Sequence, residues 1–306
     1  MPHGHDRKPV TEYSGYLSDN LWAFTLASVI LGLLVGSFLN VVAYRLPVMM
    51  ERAWRTQCQE LTASAELPAS AATQPETFNL MTPRSRCPHC GHAISAWENI
   101  PVISYLWLRG RCAACGKSIS LRYPLVELST ALLSGITAWH FGFGWAAAAA
   151  LALTWALIAL TLIDYDHQLL PDDITLPFLW IGLLLSLYGL FTNTTSSIVG
   201  AVAGYLSLWS VYILFKWATG KEGMGYGDFK LLAMLGAWMG WQALPVIILL
   251  SSVVGAGVGI TLIVVRGRDR SIPIPFGPYL AAAGWLTLLW GDDITHRYFA
   301  LLGLSS

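Results

Sequence analysis

Read from its amino end, the chain is polar and mixed in charge over residues 1–21, then alternates between long apolar runs and short breaks of charge, glycine or proline. A helix crossing a hydrocarbon layer of about 30 Å needs roughly 20 mostly apolar residues. Runs of that character fall at 22–44, 124–140, 145–163, 173–191, 197–218, 229–242, 243–265 and 276–291. The pattern predicts an all-α polytopic membrane protein of about eight transmembrane helices, with one longer polar insertion, 45–123, between the first two. The sixth run is short, and its border with the seventh falls near 241–245. Residues 1–21 lack the basic start, short apolar core and small-residue cleavage site of a secretory signal, so the first run reads as a retained span. Four segments result: a polar start (1–21), a first span (22–44), an insertion (45–123) and a membrane core (124–306).

Composition sharpens this picture. The 306 residues are 55% hydrophobic and only 12% charged, against about a quarter charged in an ordinary soluble protein. Bases and acids balance at 18 each, which gives no sign of a nucleic-acid partner and leaves only the distribution of charge to inform. If 45–123 is cytoplasmic, alternation puts the loops near 164–172, 216–230 and 266–275 on the same side. Fifteen of the 18 bases then lie there: nine in the insertion, three at Lys216, Lys221 and Lys230, and three at Arg266, Arg268 and Arg270. The bias follows the positive-inside rule and turns both termini away from the cytoplasm.

The insertion carries two short cysteine pairs, Cys87 with Cys90 in "CPHCG" and Cys112 with Cys115 in "CAACG". Each pair offers two sulfurs on one side of a turn, and two such pairs make a tetrahedral thiolate set for Zn2+. Two disulfides are the alternative, but a bridge across three residues is strained, and a cytoplasmic insertion lies in a reducing compartment. Four thiolates leave no open position for water, so the zinc reads as structural. His89 and His92 read as exposed knuckle residues and Cys58 as a lone thiol, while 59–77, rich in Ala, Thr, Ser and Glu, reads as a flexible stretch.

Charge at a membrane edge is the second chemical signal, because acids facing a protein interior there are costly and mark function. "LIDYDHQLLPDD" places Asp164, Asp166, Asp172 and Asp173 after the third span, and "GMGYGDFKLL" places Asp228 before the sixth. Asp172 and Asp173 follow Pro171, where capping of a helix N-terminus and chemistry are both open. Asp164 follows "ALIALTLI" with no polar spacer, and Gly225 and Gly227 leave the approach to Asp228 sterically open. Lys230 reads either as a snorkelling edge base or as a holder of a substrate carboxylate. Two carboxylates face to face can share one proton, one serving as base on water and the other as acid on a peptide carbonyl. There is no H-E-x-x-H or G-x-S-x-G element to suggest another hydrolytic route.

The motifs "GSFLNVVAYRLP" (36–47), "CPHCGHAISAWENIPVISYLWLRGRCAACGKSISLRYPLVEL" (87–128), "LIDYDHQLLPDDITLP" (162–177) and "GMGYGDFKLLAMLGAW" (223–238), in this order, resemble the bacterial type IV prepilin peptidases of the G-x-G-D membrane aspartic peptidase group. The resemblance covers nearly the whole chain after residue 22, with 52–82 and the polar start outside its motifs. It implies that Asp164 and Asp228 are the catalytic pair. It further implies a leader-cleaving endopeptidase of the inner membrane acting after a Gly on prepilins or pseudopilins, and S-adenosylmethionine-dependent methylation of the new N-terminal residue. "PIPFGPYL" (273–280) receives no catalytic role. A proton- or cation-carrying transporter would be expected to place acids deep within several spans, whereas here nearly all lie at edges, Glu127 being the main exception. A noncatalytic zinc-containing assembly factor would tolerate loss of either acid.

Overall fold

The structure is a computed structural model that describes Gly15 and residues 17–63, 78–221, 223–266 and 274–301. Most of the polar start, residues 64–77 of the stretch read as flexible, and residues 267–273 of the last basic loop lie outside the described residues. The described chain is helical, with two isolated bridges as its only extended pairing. In order the helices are α1 (Leu21–Ala63), α2 (Ile103–Trp107), α3 (Arg122–Phe141), α4 (Trp145–His167), α5 (Asp172–Ser186), α6 (Thr194–Thr219), α7 (Tyr226–Met239), α8 (Leu244–Arg266) and α9 (Gly277–Leu301). The chain divides into two compact units, one of residues 25–136 and one that joins residues 1–24 to 137–306.

Helices stand at all eight predicted places, and four are both long and apolar enough to cross a membrane: α1, α4, α6, and α8 with the short turn that leads into it. Three of the other four, α5, α7 and α9, are short or interrupted. α5 has 15 residues and α7 has 14, so they rise only about 21–23 Å. The border between the sixth and seventh runs falls at Gly240, whose φ of 82° stops α7 before a 3₁₀ turn over Trp241–Ala243. α9 loses helical geometry at Trp290.

The first helix does not stop where its apolar run ends. α1 continues through Pro47 for 43 residues in all, about 64 Å. Its last turns are exposed, built from residues such as Glu51, Arg52, Ala53 and Arg55, and a Glu51–Arg55 ion pair one turn apart supports them. Helix propensity and pairs of that spacing sustain a solvated helix where hydropathy no longer can. Residues 59–63, expected to be flexible, are its last turn. Arg45, 7% exposed, donates to the carbonyls of Asn79 and Pro83 and thereby pins the returning chain to the helix. Phe78 lies under Arg52, whose guanidinium stands 4.3 Å from the ring centre.

In the other unit α7 is the central element. Phe229, Leu231, Leu232, Met234, Leu235 and Trp238 are all buried, and the Trp238 indole donates to the Phe178 carbonyl at 2.7 Å. A helix enclosed by protein need not match the thickness of lipid, which accounts for its 14 residues. Its tightest seam is with α6: a Cβ on Gly236 would stand 2.2 Å from the Gly200 carbonyl oxygen. Helices in lipid gain little from hydrophobic association and rely on close approach through small residues. Gly200 and Gly236 provide it here.

Candidate active site and metal centre

Asp164 and Asp228 reach one end of the central unit by different routes. Asp164 lies in the last turn of α4, where Gln168 ends the helix in a left-handed conformation. Asp228 lies in the first turn of α7, begun by Gly225 with extended backbone. Both are buried, at 5% and 7% exposure, and they stand within electrostatic reach of each other. Burial of two acids among apolar residues makes this an expensive arrangement to keep without a use.

Glycine and leucine set the spacing. A Cβ on Gly227 would stand 2.7 Å from Leu170 Cβ, so Leu170 packs directly against the glycine turn that carries Asp228. Beside Gly225, among the described residues beyond its chain neighbours, such a Cβ would meet only Asp228 Oδ2, at 4.0 Å. The approach to the carboxylate is therefore open along Gly225 but not along Gly227, which the sequence suggests is open as well and which Leu170 covers instead.

The other edge residues separate from this pair. Asp172 accepts from the Lys230 ammonium with both oxygens at 2.7 Å, joining α5 to α7. That ion pair engages Lys230 with a partner of its own chain, which neither sequence reading anticipates. Asp172 and Asp173 lie in the first turn of α5 behind Pro171, and no side chain caps that helix. Asp166 is exposed.

A further contact has no sequence signal. The backbone N–H of Gly277, the first residue of α9, donates to Asp164 Oδ2 at 3.0 Å. A Cβ at Gly277 would stand 2.6 Å from that same oxygen and 3.2 Å from Leu170 Cδ2. The "PFGP" stretch thus forms a wall of the acid pair.

In the insertion the two cysteine pairs are built alike. Ser85–Ile94 and Gly110–Ile119 fold as the same motif: Cys87 N–H donates to the His92 carbonyl and Cys112 N–H to that of Lys117, while Ile94 and Ile119 close the outer rung. Gly91 and Gly116 turn each knuckle at φ of 71° and 69°, a conformation glycine adopts freely. The backbone N–H groups of His89 and Cys90 hold the Cys87 thiol down at about 6. Those of Cys115 and Ala114 lower Cys112 in the same way. Both first cysteines are thus shifted toward the thiolate, the form that binds metal.

All four sulfurs lie within 4.8 Å of one another, with Cys87 to Cys115 at 3.9 Å and Cys90 to Cys112 at 4.0 Å. A tetrahedron with metal–sulfur arms of about 2.3 Å has edges of about 3.8 Å. The four thiols therefore fit one metal ion, and no disulfide joins them. His92 pairs with Glu98 at 3.3 Å and His89 faces Lys117, so neither joins the sulfurs. Cys58 lies apart on the exposed stem of α1.

Residues 30–141 match the Bacterial Peptidase A24 N-terminal domain and residues 151–260 the Type IV leader peptidase family. A Prepilin leader peptidase/N-methyltransferase of Stutzerimonas stutzeri is 61% identical over 283 residues, spanning 92% of this chain and 96% of that protein. Proteins of the same name from Pseudomonas aeruginosa and Aeromonas hydrophila are 59% and 57% identical, over 94% and 90% of this chain and 98% and 94% of their own lengths. No solved structure matches the chain.

Proposed function

The chain belongs to the type IV leader peptidase family, and on that premise we propose that it is a prepilin leader peptidase and N-methyltransferase whose proteolysis is carried by Asp164 and Asp228. The observation that supports this most is the meeting of two buried carboxylates, 64 positions apart in sequence (228 − 164), at one end of a helical unit. Paired acids in a protein interior share one proton. The ionised member takes a proton from water as the water oxygen attacks the peptide carbon. The protonated member donates to the carbonyl oxygen, stabilising the tetrahedral intermediate. Return of a proton to the leaving amine breaks the C–N bond and frees a new N-terminus. The open side at Gly225 suits an extended substrate backbone next to Asp228.

The substrates on this reading are prepilins or pseudopilins cut after a Gly where an apolar helix meets the membrane edge. The concentration of bases in the insertion and in the loops before α7 and α9 supports a reading in which the acids and the insertion face the cytoplasm at a bacterial inner membrane. Zn2+ is the ion that four thiolates at these separations suit, held by Cys87, Cys90, Cys112 and Cys115 in a structural role.

Methylation of the new amino group follows from the activity carried in the relatives' names, with S-adenosylmethionine supplying an electrophilic methyl group when bound. A cavity of about 510 Å3 lined by Ala203, Ser207, Trp241 and Leu244 does not fit that donor, because its wall is apolar and holds no acid to face a sulfonium.

The test is cleavage of a purified prepilin by the protein in liposomes, wild type beside Asp164→Asn and Asp228→Asn, with mass spectrometry of the new N-terminus. Cleavage after Gly by wild type and by neither variant is expected, with a methyl mass added only when the donor is present. Cleavage by either variant removes that acid from the pair.

A further inference from the structure

Every element of the proposed pair so far comes from the two matched segments, 30–141 and 151–260. Gly277 lies beyond both, yet its N–H meets Asp164 Oδ2 at 3.0 Å across 113 positions of sequence. The first N–H groups of a helix have no partner within it. At α9 the N–H of the first residue, Gly277, finds its partner in a carboxylate of α4, so Asp164 closes the start of α9 from outside.

From this contact we infer that Gly277 is a positioning residue of the peptidase site: its N–H fixes the orientation of the Asp164 carboxylate, and its lack of a side chain makes the contact possible. Three observations converge on that role. One carboxylate oxygen is committed to the N–H, which leaves the other to take a proton from water. A Cβ at this position would stand 2.6 Å from Oδ2, far inside van der Waals contact, so any larger residue pushes the carboxylate away. Leu170 lies against both Gly277 and Gly227, so the opening of α9 and the turn carrying Asp228 are held to one spacer.

The inference rests on Asp164 being one of the catalytic acids, and the experiment separates the two ideas. Full-length protein is made in nanodiscs with glycolic acid in place of Gly277, so that an ester oxygen replaces the N–H and no atom is added. Gly277→Ala, Asp164→Asn and wild type are assayed beside it. The ester is expected to lower kcat for prepilin cleavage roughly 10- to 100-fold, the range for a lost hydrogen bond to a charged group. KM is expected to stay within about twofold. Gly277→Ala is expected to lose more.

Methylation of an already cleaved pilin reports whether each variant is folded and should remain at the wild-type rate. Wild-type kcat in the ester protein overturns the positioning role, as does an equal fall of cleavage and methylation, which would mark Gly277 as purely structural. Cleavage by Asp164→Asn instead overturns the assignment of the pair.

Discussion

The insertion and the helical core keep their chemistry in opposite relations to their folds. Around the four cysteines little is buried: Trp97, Leu106 and Trp107 are exposed, and the two knuckles are single turns closed by isolated bridges. Around Asp164 and Asp228, by contrast, the central helix is enclosed at Phe229 and from Leu231 to Trp238. On the proposed function, the metal-binding groups hold the first region together, whereas in the second the structure holds the two acids, which contribute nothing apolar to the core. Removing the chemistry should therefore unfold one region and leave the other standing.

The largest effect follows from the metal. Cys87→Ser with Cys90→Ser removes half the thiolate set, and structural zinc in small peptides is worth about 10–16 kcal/mol. The variant is expected to lose bound zinc by elemental analysis and to become open to proteolysis between the knuckles, while α4–α9 stay protected. Full zinc occupancy in the double variant would break the comparison at its root.

The acids give the converse. Asp164→Asn and Asp228→Asn are expected to lower cleavage on the order of 10³-fold or more, the range for loss of a positioned acid or base. Each keeps the side-chain shape, so the thermal midpoint in detergent should hold or rise. A coincident collapse of the midpoint would show that the pair is structural after all.

How much of this could be read from the sequence depends on how local the cause is. The four-cysteine set is local, two cysteines on a turn repeated once, and so its grouping was legible from spacing. The places of the eight long helices were legible because hydropathy is summed over some twenty positions, though only four of the described helices are long and apolar enough to cross a membrane. The continuation of α1 past Pro47 was not, because helix propensity and an Arg45 side chain reaching Asn79 take over where hydropathy ends. Asp164 and Asp228 stood out by type and edge position, but their partners did not. Gly277 contributes a backbone N–H, which almost any residue has, and Lys230 meets Asp172 across 58 positions. Gly200 and Gly204 stand four apart in the sequence, a spacing that marks a close helix contact, but nothing in the spacing says that Gly236 is what Gly200 meets.

Glycine itself sharpens the contrast, since the two regions need it for different reasons. Gly91 has nothing within 4 Å of a would-be Cβ but sits at φ 71°, so Gly91→Ala meets strain and no clash. Gly236 is helical, and its Cβ would stand 2.2 Å from a backbone oxygen that cannot rotate away. Gly236→Ala is expected to cost more than the roughly 1–3 kcal/mol of ordinary overpacking, read as a lowered thermal midpoint of the membrane unit. Gly91→Ala should cost about 1–2 kcal/mol, the penalty of a left-handed residue, read as weaker zinc retention against a chelator. Equal responses in both assays would dissolve the distinction.

The smallest effect tests whether charge at the membrane edge belongs with structure or with chemistry. Lys230 and Asp172 make a two-oxygen contact at 2.7 Å, but their side chains are 30% and 50% exposed. Water and salt screen such a pair, and its worth is roughly 0.5–1 kcal/mol. Lys230→Met and Asp172→Asn should each lower the thermal midpoint slightly, and the double variant should fall no further than the worse single one if the pair is their only shared role. The coupling should shrink at high salt, because screening weakens exposed pairs first. Cleavage should stay within about threefold of wild type in all three, since neither group touches the acid pair. If Lys230→Met instead raised KM steeply with kcat unchanged, the ammonium would be binding substrate uniformly through the reaction. Asp172 would then be the carboxylate that holds the ammonium until a substrate carboxylate replaces it.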